Sequence, residues 1–215
     1  MKKLSLIATV AMAAVACNTT NPLIEGWDTP YGIPDFTAIE ESHYLPAIEY
    51  GIKQQEEEIN AIIANTEAPT FENTIVAMNN SGELLGRISG VFFVLNNCVT
   101  SPEMQQIALN ITPKLTELSN DISLNPELFE RVKAVYNQRK KLKLDREDMT
   151  LLENTYKSFA RSGALLEGEQ QELYRQYTTE LAQLTLKFGQ NALAATNAFT
   201  LNITDEAKVA ELPDF

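Results

Sequence analysis

The chain has 215 residues and a mass of 24.0 kDa, with 44% hydrophobic and 21% charged residues. That is room for one or two domains with a real core, and too apolar for a disordered chain. Seventeen Lys plus Arg against 29 Asp plus Glu give a net charge of −12, which argues against nucleic acid as a partner, since such binding depends on neutralising phosphates.

Lys2 and Lys3 precede an apolar run from Leu4 to Ala16 that ends in Ala14-Val15-Ala16-Cys17. A basic start, a short apolar segment and small residues before a cleavage point describe a secretory signal peptide, and the run is too short to span a bilayer. Cys17 at the cleavage position resembles the lipobox of bacterial lipoproteins, although Ala14 replaces the usual Leu. By that resemblance, residues 1–16 are a lipoprotein signal peptide and Cys17 is the lipidated mature N-terminus, tied to a membrane by several acyl chains. Removing Lys2 and Lys3 leaves 15 basic and 29 acidic residues, a net −14. Asn18 after the cysteine points, by analogy with bacterial sorting, to the outer membrane of the cell envelope, facing the periplasm. Residues 17–34, with prolines at 22, 30 and 34, read as an extended tether. Cys98, left without a partner, reads as a buried, unreactive thiol.

Residues 35–215 read as all-α, with about six long helices. The first starts near Ser42 with Pro46 in its first turn. Leu45, Ile48, Ile52, Ile59, Ile62 and Ile63 mark one face, and Glu56-Glu57-Glu58 lies in water. Thr70 is the next N-cap, opening a helix that runs to about Asn97. Gly82, Gly86 and Gly90 share a face of it, and they are either a smooth ridge allowing a close crossing or a bend, or simply a weak stretch of helix. Ser101-Pro102-Glu103 and Asn125-Pro126-Glu127 are compact start signals: a cap, Pro at the first position, then an acid at the positive end of the dipole. Pro113 lies inside the first of these helices and is expected to kink it. Leu128, Val132 and Val135 carry the stripe of the second. Asp145 caps a helix bearing Met149, Leu152, Tyr156 and Phe159 that ends at Ser162-Gly163. The last helix begins near Glu167, and Leu173, Tyr177, Leu181, Leu184 and Phe188 form its stripe, read as core-facing. Phe199 to Ile203 alternates like a strand.

Chemistry is sparse. His43 is the only histidine, so no His-Glu-x-x-His zinc site exists within these residues. It reads as a first-turn helix residue. His43, Cys17 and Cys98 lack zinc-ligand spacing, and no Gly-x-Ser-x-Gly elbow accompanies His43. Gly163 to Gln170 nearly mimics a phosphate loop, but Glu169 and Gln170 stand where Lys and Ser or Thr are needed. Between 131 and 146, seven basic residues (Arg131, Lys133, Arg139, Lys140, Lys141, Lys143, Arg146) face only Asp145. With no aromatic interleaving, the cluster reads as a solvated helix end and loop. No catalytic residue, no metal ligand and no bound cofactor is expected in this chain.

Four ordered segments resemble one family. They are Ala68-Pro69-Thr70-Phe71-Glu72-Asn73-Thr74-Ile75, Asn125-Pro126-Glu127-Leu128-Phe129, Leu151 to Ala164, and Leu181 to Thr196 with Lys187-Phe188-Gly189-Gln190-Asn191. From about Asn21 to Phe215 the chain resembles the N-terminal region of the zinc metallopeptidases that include peptidyl-dipeptidase Dcp, oligopeptidase A and thimet oligopeptidase. The resemblance implies a two-lobed, clam-like helical fold whose channel admits short peptides. In that family zinc is held by residues beyond any that match here, so no catalytic residue carries over. The implied role is a channel wall, inactive alone, in a chain truncated before the catalytic domain. The other reading is a non-catalytic helical lipoprotein that binds peptides or a protein partner.

Overall fold

The computed structural model describes residues 21–208 and residue 210. The signal peptide, Cys17 and its lipidation therefore lie outside the described residues. Six long helices dominate: α1 (Glu41–Ile63), α3 (Glu83–Cys98), α4 (Pro102–Ser123), α5 (Pro126–Gln138), α6 (Arg146–Arg161) and α7 (Glu169–Ala198), with the short α2 (Ala77–Asn80) between the first two. Among the described residues there is no strand.

Local chemistry sets most boundaries. The Ser101 hydroxyl accepts from the Met104 N–H at 3.0 Å, Asn125 Oδ1 from Leu128 at 2.9 Å, and Asp145 Oδ1 from Asp148 at 2.8 Å. Each fills an orphan donor of a first turn. Thr70 caps a π-helical turn, Phe71–Val76, in a reciprocal pair with Asn73. At the end of α6, Gly163 takes φ +90 and the Ala164 N–H bonds back to the Phe159 carbonyl, a Schellman closure.

Several expectations change. α1 begins at Glu41, which puts Pro46 in its second turn, where its missing N–H costs an intrahelical bond to Ser42. The helix expected from Thr70 to Asn97 breaks at Ser81-Gly82, because Gly82 takes φ +74. Glu58, expected in water, holds that break: its Oε2 accepts from the Gly82 N–H at 2.7 Å. The glycine ridge does not form a crossing, since a Cβ at Gly86 or Gly90 would meet nothing within 4 Å. The close crossing lies instead at Gly51 of α1, where a Cβ would stand 3.1 Å from the Leu85 Cα. Residues 21–27 of the supposed tether are also docked. Leu23 is fully buried, Asn21 donates to the His43 carbonyl at 2.8 Å, and Arg87 stacks on Trp27 at 4.8 Å while donating to the Ile24 and Glu25 carbonyls.

The core has two halves joined by α1. Tyr44, Ala47 and Ile48 pack with Leu85, Ile88 and Phe92 of α3 and with Ile107, Ala108 and Ile111 of α4. Further along α1, Ile59 and Ile62 pack with Phe71, Ile75, the α5 stripe of Leu128, Val132 and Val135, and Leu152 and Phe159 of α6. Phe129 stacks on Phe159, with ring centres 5.9 Å apart, and Tyr44 meets Phe92 edge-on at 5.1 Å.

The two kinds of glycine should respond with opposite signs. Gly51→Val forces α1 and α3 apart and should cost about 1–3 kcal/mol. Gly86→Ala adds a methyl in open space inside a helix and should gain about 0.5–1 kcal/mol. Urea denaturation of the two variants checks both signs.

Candidate functional site: an outward apolar face on the last helix

α7 is built inside out. Its inward face is polar: Asn120 of α4, 5% exposed, donates to the Thr178 hydroxyl at 2.9 Å. Arg175 pairs with Asp121 at 2.6 Å, and the Gln171 amide donates to the Leu124 carbonyl at 3.2 Å. Leu186 is its apolar contribution to the first core. The stripe expected to face the core points the other way: Leu173, Tyr177, Leu181, Leu184 and Phe188 are all exposed, Phe188 at 75%. No residue of this helix is buried.

The correction has a physical reason. Amphipathicity marks which face is apolar, not what covers it. Asn120, Asp121 and the free Leu124 carbonyl at the end of α4 demand hydrogen-bonding partners, and α7 supplies them from its polar face. A groove of about 560 Å³ lies on the outward side, lined by Leu184, Thr185, Lys187, Phe188 and Asn191. Beyond the helix, Phe199, Leu201 and Ile203 are exposed in a segment without regular structure. The strand expected there lacks a pairing strand among the described residues, so its alternation stays unused.

The other candidate residues take structural roles. His43 sits in the first turn of α1, where its Nδ1 accepts from the Glu40 N–H at 2.9 Å. Among the described residues no group of three His, Cys, Asp or Glu is placed to hold a metal. Within the basic cluster, Arg131 ties the loop before α2 to α5 by donating to the Asn65 carbonyl at 2.7 Å, Arg139 lies 3.9 Å over the Tyr136 ring, and Lys133 pairs with Glu130 at 2.8 Å. Lys140, Lys141, Lys143 and Arg146 are exposed.

Cys98, expected to be buried, is exposed. α3 buries Leu85, Ile88 and Phe92, and a residue six beyond Phe92 lies well around the helix from that stripe at 100° per residue. A Cys17→Ser chain should therefore react with Ellman's reagent to one thiol per chain without denaturant. Reaction only after unfolding would place the thiol inside.

No family model matches the chain. It is 39% identical over 196 residues to dipeptidyl carboxypeptidase of Escherichia coli, covering 91% of this chain and 29% of that protein. The dipeptidyl carboxypeptidase of Salmonella typhimurium matches at 39% over 194 residues. Oligopeptidase A of Escherichia coli matches at 28% over 195 residues, covering 28% of its length. The chain thus spans less than a third of the length of these relatives.

Proposed function

We infer from its relation to the N-terminal region of the dipeptidyl carboxypeptidase and oligopeptidase A family that this chain supplies a helical wall of a peptide-trimming enzyme. The observation that carries the reading is the 39% identity sustained over 91% of the chain. The outward stripe of α7 and the unpaired Phe199–Ile203 segment support it. They offer an exposed apolar helix face followed by exposed apolar side chains in a segment without regular structure, surfaces on which further elements of a larger fold would pack.

In this reading the whole enzyme is a zinc-dependent peptidyl-dipeptidase or oligopeptidase acting on short peptides, and these residues shape its channel without touching the reacting bond. They do not fit the metal. Zinc hydrolysis needs about three protein ligands and an open position for water. The single imidazole, His43, has Nδ1 committed to the turn that starts α1, and its neighbours supply no ligand cluster. No step is assigned to zinc on this chain.

We propose further, from the lipobox resemblance at Cys17, that the protein sits at a membrane. Cys17, lipidated after cleavage, would tether it to the outer membrane of a bacterial envelope, facing the periplasm. Cys17→Ser should release the protein from membranes, and the mature wild-type N-terminus should carry acyl mass.

The test of the enzymatic reading compares two chains. Residues 17–215 alone should bind no stoichiometric zinc and release no C-terminal dipeptide from a short peptide. A longer chain continued through a His-Glu-x-x-His segment should do both, in a chelator-sensitive way. Chelator-sensitive activity from residues 17–215 alone would contradict the reading.

A further inference from the structure

We propose that the loop Asp28–Glu40 is a membrane seat, resting its apolar side chains on a zwitterionic phospholipid surface. The proposal rests on the lipidation of Cys17 put forward above. Three observations carry it: the shortness of the link, the firmness of the docked segment, and what the adjoining loop exposes.

Only Asn18, Thr19 and Thr20 separate Cys17 from Asn21. From Cys17 to Asn21 the chain reaches about 14 Å at full stretch. α1 alone, at 23 residues, is about 35 Å long. A bilayer holding the lipidated cysteine therefore lies within less than half a helix length of Asn21.

Asn21 is not free to move away from the fold. Its side chain donates to the His43 carbonyl at 2.8 Å and accepts from the Leu23 N–H at 3.0 Å. Leu23 is at 0% exposure, and the Trp27 indole donates to the Pro22 carbonyl at 3.0 Å. The lipid surface is thus brought to the end of the bundle where α1 begins. Ser101 also belongs to this end, since its hydroxyl donates to Glu41 at 2.6 Å; two residues earlier, Val99 is 66% exposed.

The loop that leaves from Trp27 and returns to Glu40, beside the same His43, carries its large side chains outward. Tyr31 is 97% exposed, Ile33 52% and Phe36 51%. Tyr31 is held with φ +65, the one non-glycine residue with a positive φ among the described residues, a costly way to present an aromatic ring to water. Tyr and Phe on a rim beside a bilayer find a favourable place at its interface, apolar body inward and hydroxyl at the headgroups.

Charge selects the kind of lipid. From Asn21 to Pro46 the chain has five acids, Glu25, Asp28, Asp35, Glu40 and Glu41, and neither Lys nor Arg. Arg87, stacked on Trp27, offsets one of these five acids, so an anionic surface would still repel this end, and a zwitterionic one would accept its apolar contacts.

The experiment uses the lipidated chain, its N-terminus established by mass, reconstituted in phosphatidylcholine vesicles. Amide hydrogen exchange is followed over residues 28–40 and compared with the soluble Cys17→Ser chain. The seat predicts roughly tenfold slower exchange in this loop on the vesicles. That protection should shrink as phosphatidylglycerol replaces phosphatidylcholine, and it should be lost in a Tyr31→Ser, Ile33→Ser, Phe36→Ser chain that remains anchored and helical by circular dichroism. A lipidated, vesicle-bound wild-type chain whose loop exchanges as fast as the soluble one would overturn the seat and leave the anchor standing. An N-terminus without acyl mass would overturn the anchor and the seat with it.

Discussion

Gly51 sets how closely α1 and α3 can approach, and the rest of the molecule is arranged around that contact. With no side chain there, the Leu85 backbone sits where a Cβ would be 3.1 Å away. α1 runs past the contact in both directions, one part of it in the core with α3 and α4 and the other in the core with α5 and α6. Ile122, at the end of α4, touches both halves. Loss of the crossing would loosen α3 and shift the register in which α1 presents Ile59 and Ile62 to the second core. The Glu58 carboxylate, about two turns further along α1, reinforces it by fixing the Gly82 break.

Against this settled framework α7 stands apart. Apart from Leu186, which reaches the first core, its attachment is a set of polar ties, and hydrogen bonds and exposed ion pairs of this kind each contribute modestly. A 30-residue helix that turns its apolar stripe to water gives up the usual gain of burial, about 25 cal/mol per Å² of apolar surface. The arrangement is economical only if another apolar surface meets the stripe. That is why the helix is read as a face for the remainder of a peptidase fold, and why the chemistry is sought outside these residues.

The parts of the fold written in local chemistry were legible in the sequence. Thr70, Ser101, Asn125 and Asp145 cap within three residues of themselves, so their identity is enough to place a helix start. The stripe Leu128, Val132 and Val135 also lies in the core as its spacing implies. What depends on distant partners was not legible. Gly51 gives no local sign that Leu85 will lie against it. Glu58 looks like the third of three solvated acids until Gly82 arrives 24 residues later. Leu23 and Trp27, in a proline-bearing stretch that reads as a linker, dock because α1 and Arg87 offer them a surface. The α7 stripe was found by its period but assigned to the wrong side, since Asn120 and Asp121 decide which side faces in.

The most direct test is to place charge on that stripe, as Leu181→Lys with Phe188→Lys, in both the 215-residue chain and a longer chain carrying the His-Glu-x-x-His segment. If the stripe serves a surface outside these residues, the short chain keeps its melting temperature while the longer chain loses stability and peptidase activity. If the short chain is destabilised by the several kcal/mol typical of core disruption, the stripe belongs to this chain's own core, and the account of α7 is wrong.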